Sequence, residues 1–410
     1  MKILVISESI NIEDSSASKV NMALINNLTK AGFEVKVFHY SYKEIAVPSA
    51  ESILINENKF SIWYVLSRIQ RTIQRAFKIN FNSKIETFLG FSFSHTSDSL
   101  SIANAIKKDS SFNPDFILTL SKGSSFRTHR ALLKLKHLHH KWIAYIHDPY
   151  PFHYYPRPYN WVEKGFDKKE KFTLDMFSTA KYIAYPSQLL MEWMESYFES
   201  GKGKGIVIPH QIGEVSMAQE VPNYFDETKF NLLHAGNLLK QRNPEFLIKG
   251  FLKFLENNPN AKSVSKLILV GSNDYHKDLL DNYRNHSNIE IVGQTEYATV
   301  LLMENKASVN IILEAISEIS PFLPGKFPNL VVANKPILLL SPYYSETKRL
   351  LGNDYQYWSE ANDENKVAQL ISELFSQWNN DKINLALNRH DLKDYCNEVY
   401  LKQTIDLLEK

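Results

Sequence analysis

The chain of 410 residues holds a single cysteine, Cys396. It can form no internal disulfide and no cysteine-built metal cage, and it suits a reducing compartment. Cys396 falls in a helical stretch and reads as a packing residue, not a nucleophile. Long apolar runs are also missing, since none approaches the roughly 20 residues that cross a bilayer. The opening MKILVISES has neither an extended apolar core nor a small-residue cleavage site, so a strand is expected there and not a leader peptide. A one-sided charge is lacking as well. The 47 Lys and Arg against 45 Asp and Glu leave a net charge of +2, which disfavours a dedicated nucleic-acid binder. What remains is an ordinary globular composition, 44% hydrophobic and 22% charged, in a chain long enough for two domains of roughly 200 residues. A cytoplasmic protein is expected.

Glycine is absent from one telling place. Residues 3–6 read as a buried strand, and Val20, Ala23, Leu24, Leu28 and Ala31 recur at helical spacing. Gly32 closes that helix, and 35–38 form the next strand. This is the βαβ opening of a doubly wound sheet. The turn SESINIEDSSASK within it contains no glycine, so a nicotinamide dehydrogenase with the usual pyrophosphate turn is disfavoured.

Further strands are expected at 114–120, 142–146, 182–187 and 206–210, with a basic helix running to Lys141 and another helix over 188–198. His137, His139 and His140 have no carboxylate or cysteine at ligand spacing and read as solvated residues. His147 and Asp148 stand just past the strand 142–146, where open α/β sheets line their ligand crevice. The pair can orient or deprotonate a bound hydroxyl, or the histidine can simply bond backbone at a strand end. The loop PYPFHYYPRPYNW that follows can stack on a sugar ring or pack on itself. Between 60 and 90, Ile62, Leu66, Ile69, Ile73, Ala76 and Phe77 mark one helical face among Arg68, Arg71, Arg75 and Lys78. That pattern fits a surface helix packed on its domain. It also fits peripheral contact with an anionic membrane or a lipid-linked substrate through 60–80.

Residues 211–229 are polar and aperiodic, and then the pattern restarts. Strands are expected at 230–234, 267–271, 289–293, 307–313 and 337–340. Helices are expected at 245–256, 276–285, 296–305, 344–350, 363–378 and 391–409. The expected domains are 1–212, 213–390 and a terminal helix 391–410 crossing back to the first half. The stretch EAISEISPFLPGKFPNLVVANKPILLL reads as loop, short helix, tight turn and parallel strand. Gly325 would let a ligand approach the backbone, free N–H groups would face an anion, and Lys326 would add a mobile charge. A solvated lysine in a plain crossover fits the same residues.

Three segments together resemble the GT-B nucleotide-sugar glycosyltransferases of family 4. AGNLLKQRNPEFLIKGF is similar to the family's Gly-x-Leu loop and helix. LILVGSNDYHKDLLDN with IEIVGQTEYATVLLMENKASVNI resembles its strand-glycine stretch, and SPFLPGKFPNLVVANKPIL its Pro-x-Lys segment. The likeness is strongest over 230–345. It implies two Rossmann-like domains, α/β with doubly wound parallel sheets, facing across a cleft that holds the site. It implies that Arg242 and Lys326 hold the donor diphosphate, aided by Gly236 and the backbone at Pro324 and Gly325. Gly293 and Gln294 would face the nucleobase, and His147 with Asp148 the acceptor side. It implies a UDP- or GDP-sugar donor and a glycan or lipid-linked acceptor. It further implies a retaining transfer that needs no metal or cofactor, in a bacterial cell-envelope polysaccharide pathway.

The chain departs from the family at its Glu-x7-Glu pair, whose second member falls at Asn329 and whose first falls at Pro321. Asn329 can still bond a ribose hydroxyl, less strongly than a carboxylate. Glu314 and Glu318 lie upstream and can stand in for that pair, but read rather as solvated loop carboxylates. These departures keep open a non-catalytic homologue that binds a nucleotide sugar or glycan, or scaffolds an enzyme; a nucleotide-sugar epimerase of this architecture is a further alternative.

Overall fold

The computed structural model describes residues 1–78, 80–109, 111–381 and 385–409. They fall into two compact units. The first comprises Met1–Tyr155, Asn160–Gly213 and the described residues from Tyr395 onward; the second comprises Pro156–Tyr159 and Glu214–Asp394. Among the described residues, no helix is long and apolar enough to cross a membrane.

In the first unit the strands are β1 (Lys2–Ser7), β2 (Glu34–His39), β3 (Glu51–Leu54), β4 (Phe116–Leu120), β5 (Trp142–Tyr145), β6 (Tyr182–Tyr185) and β7 (Gly205–Val207). They make one parallel sheet in the order β3-β2-β1-β4-β5-β6-β7. Strand alternation divides its core into two layers. Leu4 and Ile6 join Ile117, Trp142 and Phe172 on one face, while Ile3 and Val5 join Leu24, Leu28 and Leu118 on the other. The order reverses between β1 and β4, which places a ligand crevice at their C-terminal ends.

Several elements differ from expectation, each for a local reason. The helix Phe93–Lys108 gave no apolar stripe because its buried positions include His95, Thr96, Ser97, Asp98 and Ser99. The expected basic helix up to Lys141 is instead Arg127–Leu132 followed by a 3-10 turn over Lys136–Lys141. The expected helix 391–409 is broken into His390–Tyr395 and Glu398–Asp406, because the Asn397 side chain accepts from the Val399 N–H (2.8 Å) and starts a new helix. Leu401 and Ile405 of that second piece enter the core of the first unit, and Tyr182 donates its hydroxyl to the Leu408 carbonyl at 3.1 Å. Lys410 lies outside the described residues.

The second unit repeats the plan with β8 (Phe230–Ala235), β9 (Ser265–Val270), β10 (Ile289–Val292), β11 (Val309–Leu313), β12 (Ile319–Ser320), β13 (Ile337–Leu340), β14 (Tyr344–Ser345) and β15 (Trp358–Ser359). The main parallel sheet runs β10-β9-β8-β11-β13-β15, and β12 pairs with β14 beside it. The helices Glu245–Asn257 and Glu364–Asn380 pack together, and Gly250 permits it: a Cβ there would meet Val367 Cγ1 at 2.5 Å. The expected helix 276–285 shrinks to Lys277–Asp281 behind a 3-10 turn. The stretch 314–340 folds as loop, helix (Phe327–Ala333), left-handed turn at Asn334 and strand β13 parallel to β11.

Candidate functional site

Three neighbouring strands of the second sheet end in glycine: Gly236 after β8, Gly271 after β9 and Gly293 after β10. Gly271 has φ +132°, and a Cβ there would meet the Gly236 carbonyl oxygen at 2.5 Å, so only glycine fits. Around Gly293 a Cβ would meet nothing within 4 Å, and Gly293 and Gln294 are exposed. The sheet edge is therefore low and open at this end.

Lys326 comes to this edge from the other side of the switch point. Its Nζ donates to the Ile311 carbonyl at 2.8 Å and lies 3.4 Å from His234 Nδ1. A Cβ on Gly236 would stand 3.9 Å from the same Nζ, so Gly236 leaves the space in front of the ammonium clear. The expected mobile lysine is thus a held one. Burial lowers its pKa to about 7, the Arg242 charge pushes the same way, and Glu304 and Glu314 oppose them. His234 is neutral, its pKa held well below the usual value by burial and then by Lys326. Arg242 sits half-buried in the loop after β8, its N–H bonded to the Leu239 carbonyl at 2.8 Å. Its Nε is buried with no hydrogen-bond partner among the described residues. A guanidinium with spare donors is suited to a bidentate oxyanion.

Glu314 corrects the sequence reading. It is not solvated but 5% exposed at the end of β11, where its Oε1 accepts from Ser345 (3.1 Å) and Thr347 (2.9 Å) hydroxyls. Burial raises its pKa, against those hydroxyls, Ser320 and Arg242. Glu318 is exposed as expected. Asn329 donates its amide to the Tyr297 hydroxyl at 2.9 Å. Pro324 accepts from the Phe327 N–H (2.8 Å) and Gly325 is exposed at the surface. The helix that follows, Phe327–Ala333, has only seven residues.

In the first unit His147 lies two residues past β5, 8% exposed, with its Nε2 buried and without a hydrogen-bond partner among the described residues. Its ring stands 4.6 Å from Tyr145 and 6.0 Å from His210. Burial, then His210 and His129, hold its pKa well below the usual value, so it is a neutral imidazole with unspent hydrogen-bonding capacity. Asp148 beside it is half-buried. The aromatic loop packs on itself: Trp161 meets Phe152 at 5.7 Å and Tyr155 at 4.9 Å.

The glycine-free turn after β1 is filled by charge. Glu8, 4% exposed, accepts from the Arg127 N–H (2.6 Å) and from Nη1 (3.2 Å), and also from Ser125. Arg127 Nε reaches Asp98 at 2.9 Å, and Tyr40 donates to the same carboxylate at 2.9 Å. Asn21 ties the loops after β1 and β4 by donating to the Ser9 (3.2 Å) and Ser121 (3.1 Å) carbonyls. Sequence reading missed this network, because its members Glu8, Asn21, Tyr40, Asp98, Ser125 and Arg127 come from six separate elements and loops.

No family model matches the chain, and no curated protein matches it in sequence. Solved structures match it along its full length. A glycosyltransferase from Rickettsia africae ESF-5 shares 14% identity at a TM-score of 0.62, covering 100% of this chain and 97% of that one. A sucrose-phosphate synthase from Thermosynechococcus elongatus shares 12% at 0.63, with 100% and 98% covered. The Anabaena protein HepE, solved with UDP and glucose, shares 11% at 0.58, with 99% and 98% covered. The architecture is therefore the GT-B fold of nucleotide-sugar glycosyltransferases. At these identities the likeness is one of fold.

Proposed function

We propose that the chain is a glycosyltransferase that moves a sugar from a nucleoside-diphosphate donor to a hydroxyl of a glycan or lipid-linked acceptor. The observation that carries this reading is the pair Lys326 and Arg242, held at the glycine-lined end of the second sheet with donors to spare. Two cations there would offset the charge that grows on the departing diphosphate, which supports a transfer that runs without metal. In this reading Gly236, Pro324 and Gly325 leave room for the phosphates, Gly293 and Gln294 face the base, and Asn329 meets the ribose. His147, neutral and beside Asp148, meets the acceptor. UDP is the favoured carrier because HepE was solved with UDP and glucose, and an E. coli trehalose-6-phosphate protein with UDP-2-fluoro glucose; a GDP-sugar is the second choice. Retention of configuration, a bacterial cell-envelope polysaccharide pathway and a cytoplasmic setting belong to the same proposal by analogy.

One observation favours a second reading. The Asn329 amide is committed to Tyr297, which suits a homologue that binds a nucleotide sugar without turning it over. Calorimetry with UDP, GDP, ADP, CMP and their sugars, with and without Mg²⁺, tests both. Selective binding of one diphosphate that falls at least about tenfold in Arg242→Ala and Lys326→Ala supports the donor site. Unchanged binding in both variants removes it. Transfer to an added acceptor then separates enzyme from binding module, and conversion of donor without acceptor would point to an epimerase.

A further inference from the structure

The helix Ile62–Phe77 is mounted with its apolar side outward. Surface helices ordinarily bury their hydrophobic stripe. Here the buried residues are Ser67 and Gln70. Ser67 donates to the Tyr64 carbonyl at 2.8 Å, and Gln70 bonds Asn82 of the following helix. Ile62, Val65, Ile69 and Phe77 stand 68%, 46%, 50% and 69% exposed, with Phe60 before them and Phe88 after them at 98% and 81%. At about 100° per residue, the exposed apolar side chains of the helix share an arc of about 120°. These polar contacts and the ring of Trp63 against Phe93 (5.9 Å) fasten this helix, and the arc from Ile62 to Phe77 is left over.

The charge on the other side has one sign. Residues 60–85 carry Arg68, Arg71, Arg75, Lys78 and Lys84 and no Asp or Glu. Arg68 meets Glu57 at 3.6 Å, whereas Arg71 and Arg75 are exposed on a helix without a carboxylate and Lys78 is exposed just past its end. An apolar protein partner would need the arc alone. The arc and the cations together match a surface that is apolar beneath and anionic above, which is a bilayer with acidic headgroups.

We propose that this helix docks the protein on an anionic lipid bilayer, with Phe60, Ile69 and Phe77 entering the acyl boundary and the arginines holding lipid phosphates. The inference stands apart from the donor site and does not depend on catalysis. The test is co-sedimentation of the full chain with vesicles of phosphatidylglycerol and phosphatidylcholine, against phosphatidylcholine alone. Two double variants of exposed residues are compared: Phe60→Ser with Ile69→Asp, and Arg71→Ala with Arg75→Ala. Melting temperature and circular dichroism verify that both fold. The expected result is binding to the anionic vesicles at least about tenfold above the neutral ones. The apolar variant loses it, and the charge variant weakens it by about 25-fold, roughly fivefold per charge. Equal binding to both lipids, no binding to either, or undiminished binding by both variants overturns the proposal. So does a wild-type dimer in solution that the apolar variant dissolves, which would assign the face to a second copy of the chain.

Discussion

The two units solve one topological problem in opposite ways. Each has a parallel sheet whose strand order reverses near its middle, between β1 and β4 in one and between β8 and β11 in the other. In the first unit the crevice is closed by paired charge: Glu8 and Asp98 share Arg127, and Asn21 ties the loops behind them. In the second unit glycines clear the crevice, and Lys326 stands beside it bonded to the Ile311 carbonyl, with the buried Nε of Arg242, unpaired among the described residues, nearby. Charge paired with opposite charge makes a rigid wall, whereas positive charge held by neutral groups is suited to an incoming anion. In the proposed reading the same fold yields a frame in one unit and a donor site in the other, and the difference lies in a handful of residues at the strand ends.

Breaking the frame should have the largest effect. Arg127→Ala leaves Glu8 and Asp98 buried without their partner, and should cost about 3 kcal/mol of stability, read as a lower urea midpoint; a midpoint within error of wild type would mean the network is not structural. Filling the proposed donor site should come next. Gly236→Val places methyls before the lysine without a backbone clash, so nucleoside-diphosphate affinity should fall by about tenfold or more, roughly 1.4 kcal/mol, at unchanged melting temperature. A loss of folding instead would make Gly236 a packing residue.

The third prediction concerns protons. The folded-state pKa of Lys326 lies near 7 against an ordinary 10.5, so the unfolded chain binds more protons between those values. Stability should therefore rise with pH across that window. A bound diphosphate favours the charged ammonium, so binding at pH 8 should take up close to one proton, and affinity should fall as pH climbs from about 7. Calorimetry in buffers of different ionisation enthalpy reads this directly, and Lys326→Ala should abolish the uptake. The smallest effect is expected of Asn329→Glu, which offers a ribose a charged acceptor: a gain of about fivefold in nucleotide affinity, on the order of 1 kcal/mol. No gain would indicate that the ribose lies elsewhere.

Much of the frame could be read in the sequence, because buried parallel strands and helical stripes leave periodic signals. The glycine after each of LLHA, LILV and IEIV was visible, as were Arg242 and Lys326 in their loops. What could not be read was non-local. Glu314 looked like a loop carboxylate because the hydroxyls that bury it, on Ser345 and Thr347, lie about thirty residues away. His234 carried a weak signal as a polar residue inside an apolar strand. The helix Phe93–Lys108 hid itself by burying serines and an aspartate, and Asn397 broke an otherwise continuous helical pattern by capping it from within.

That last break has a consequence for how the molecule is made. Leu401 and Ile405 belong to the core of the first unit, yet residues 214–394 of the second unit separate them from the body of the first. At 5–20 residues per second a ribosome spends about 10–40 s on that interval. Throughout it the nascent first unit lacks part of its core, with Leu24 and Leu28 waiting for partners still to be synthesised. The first half becomes whole only after the second has been written.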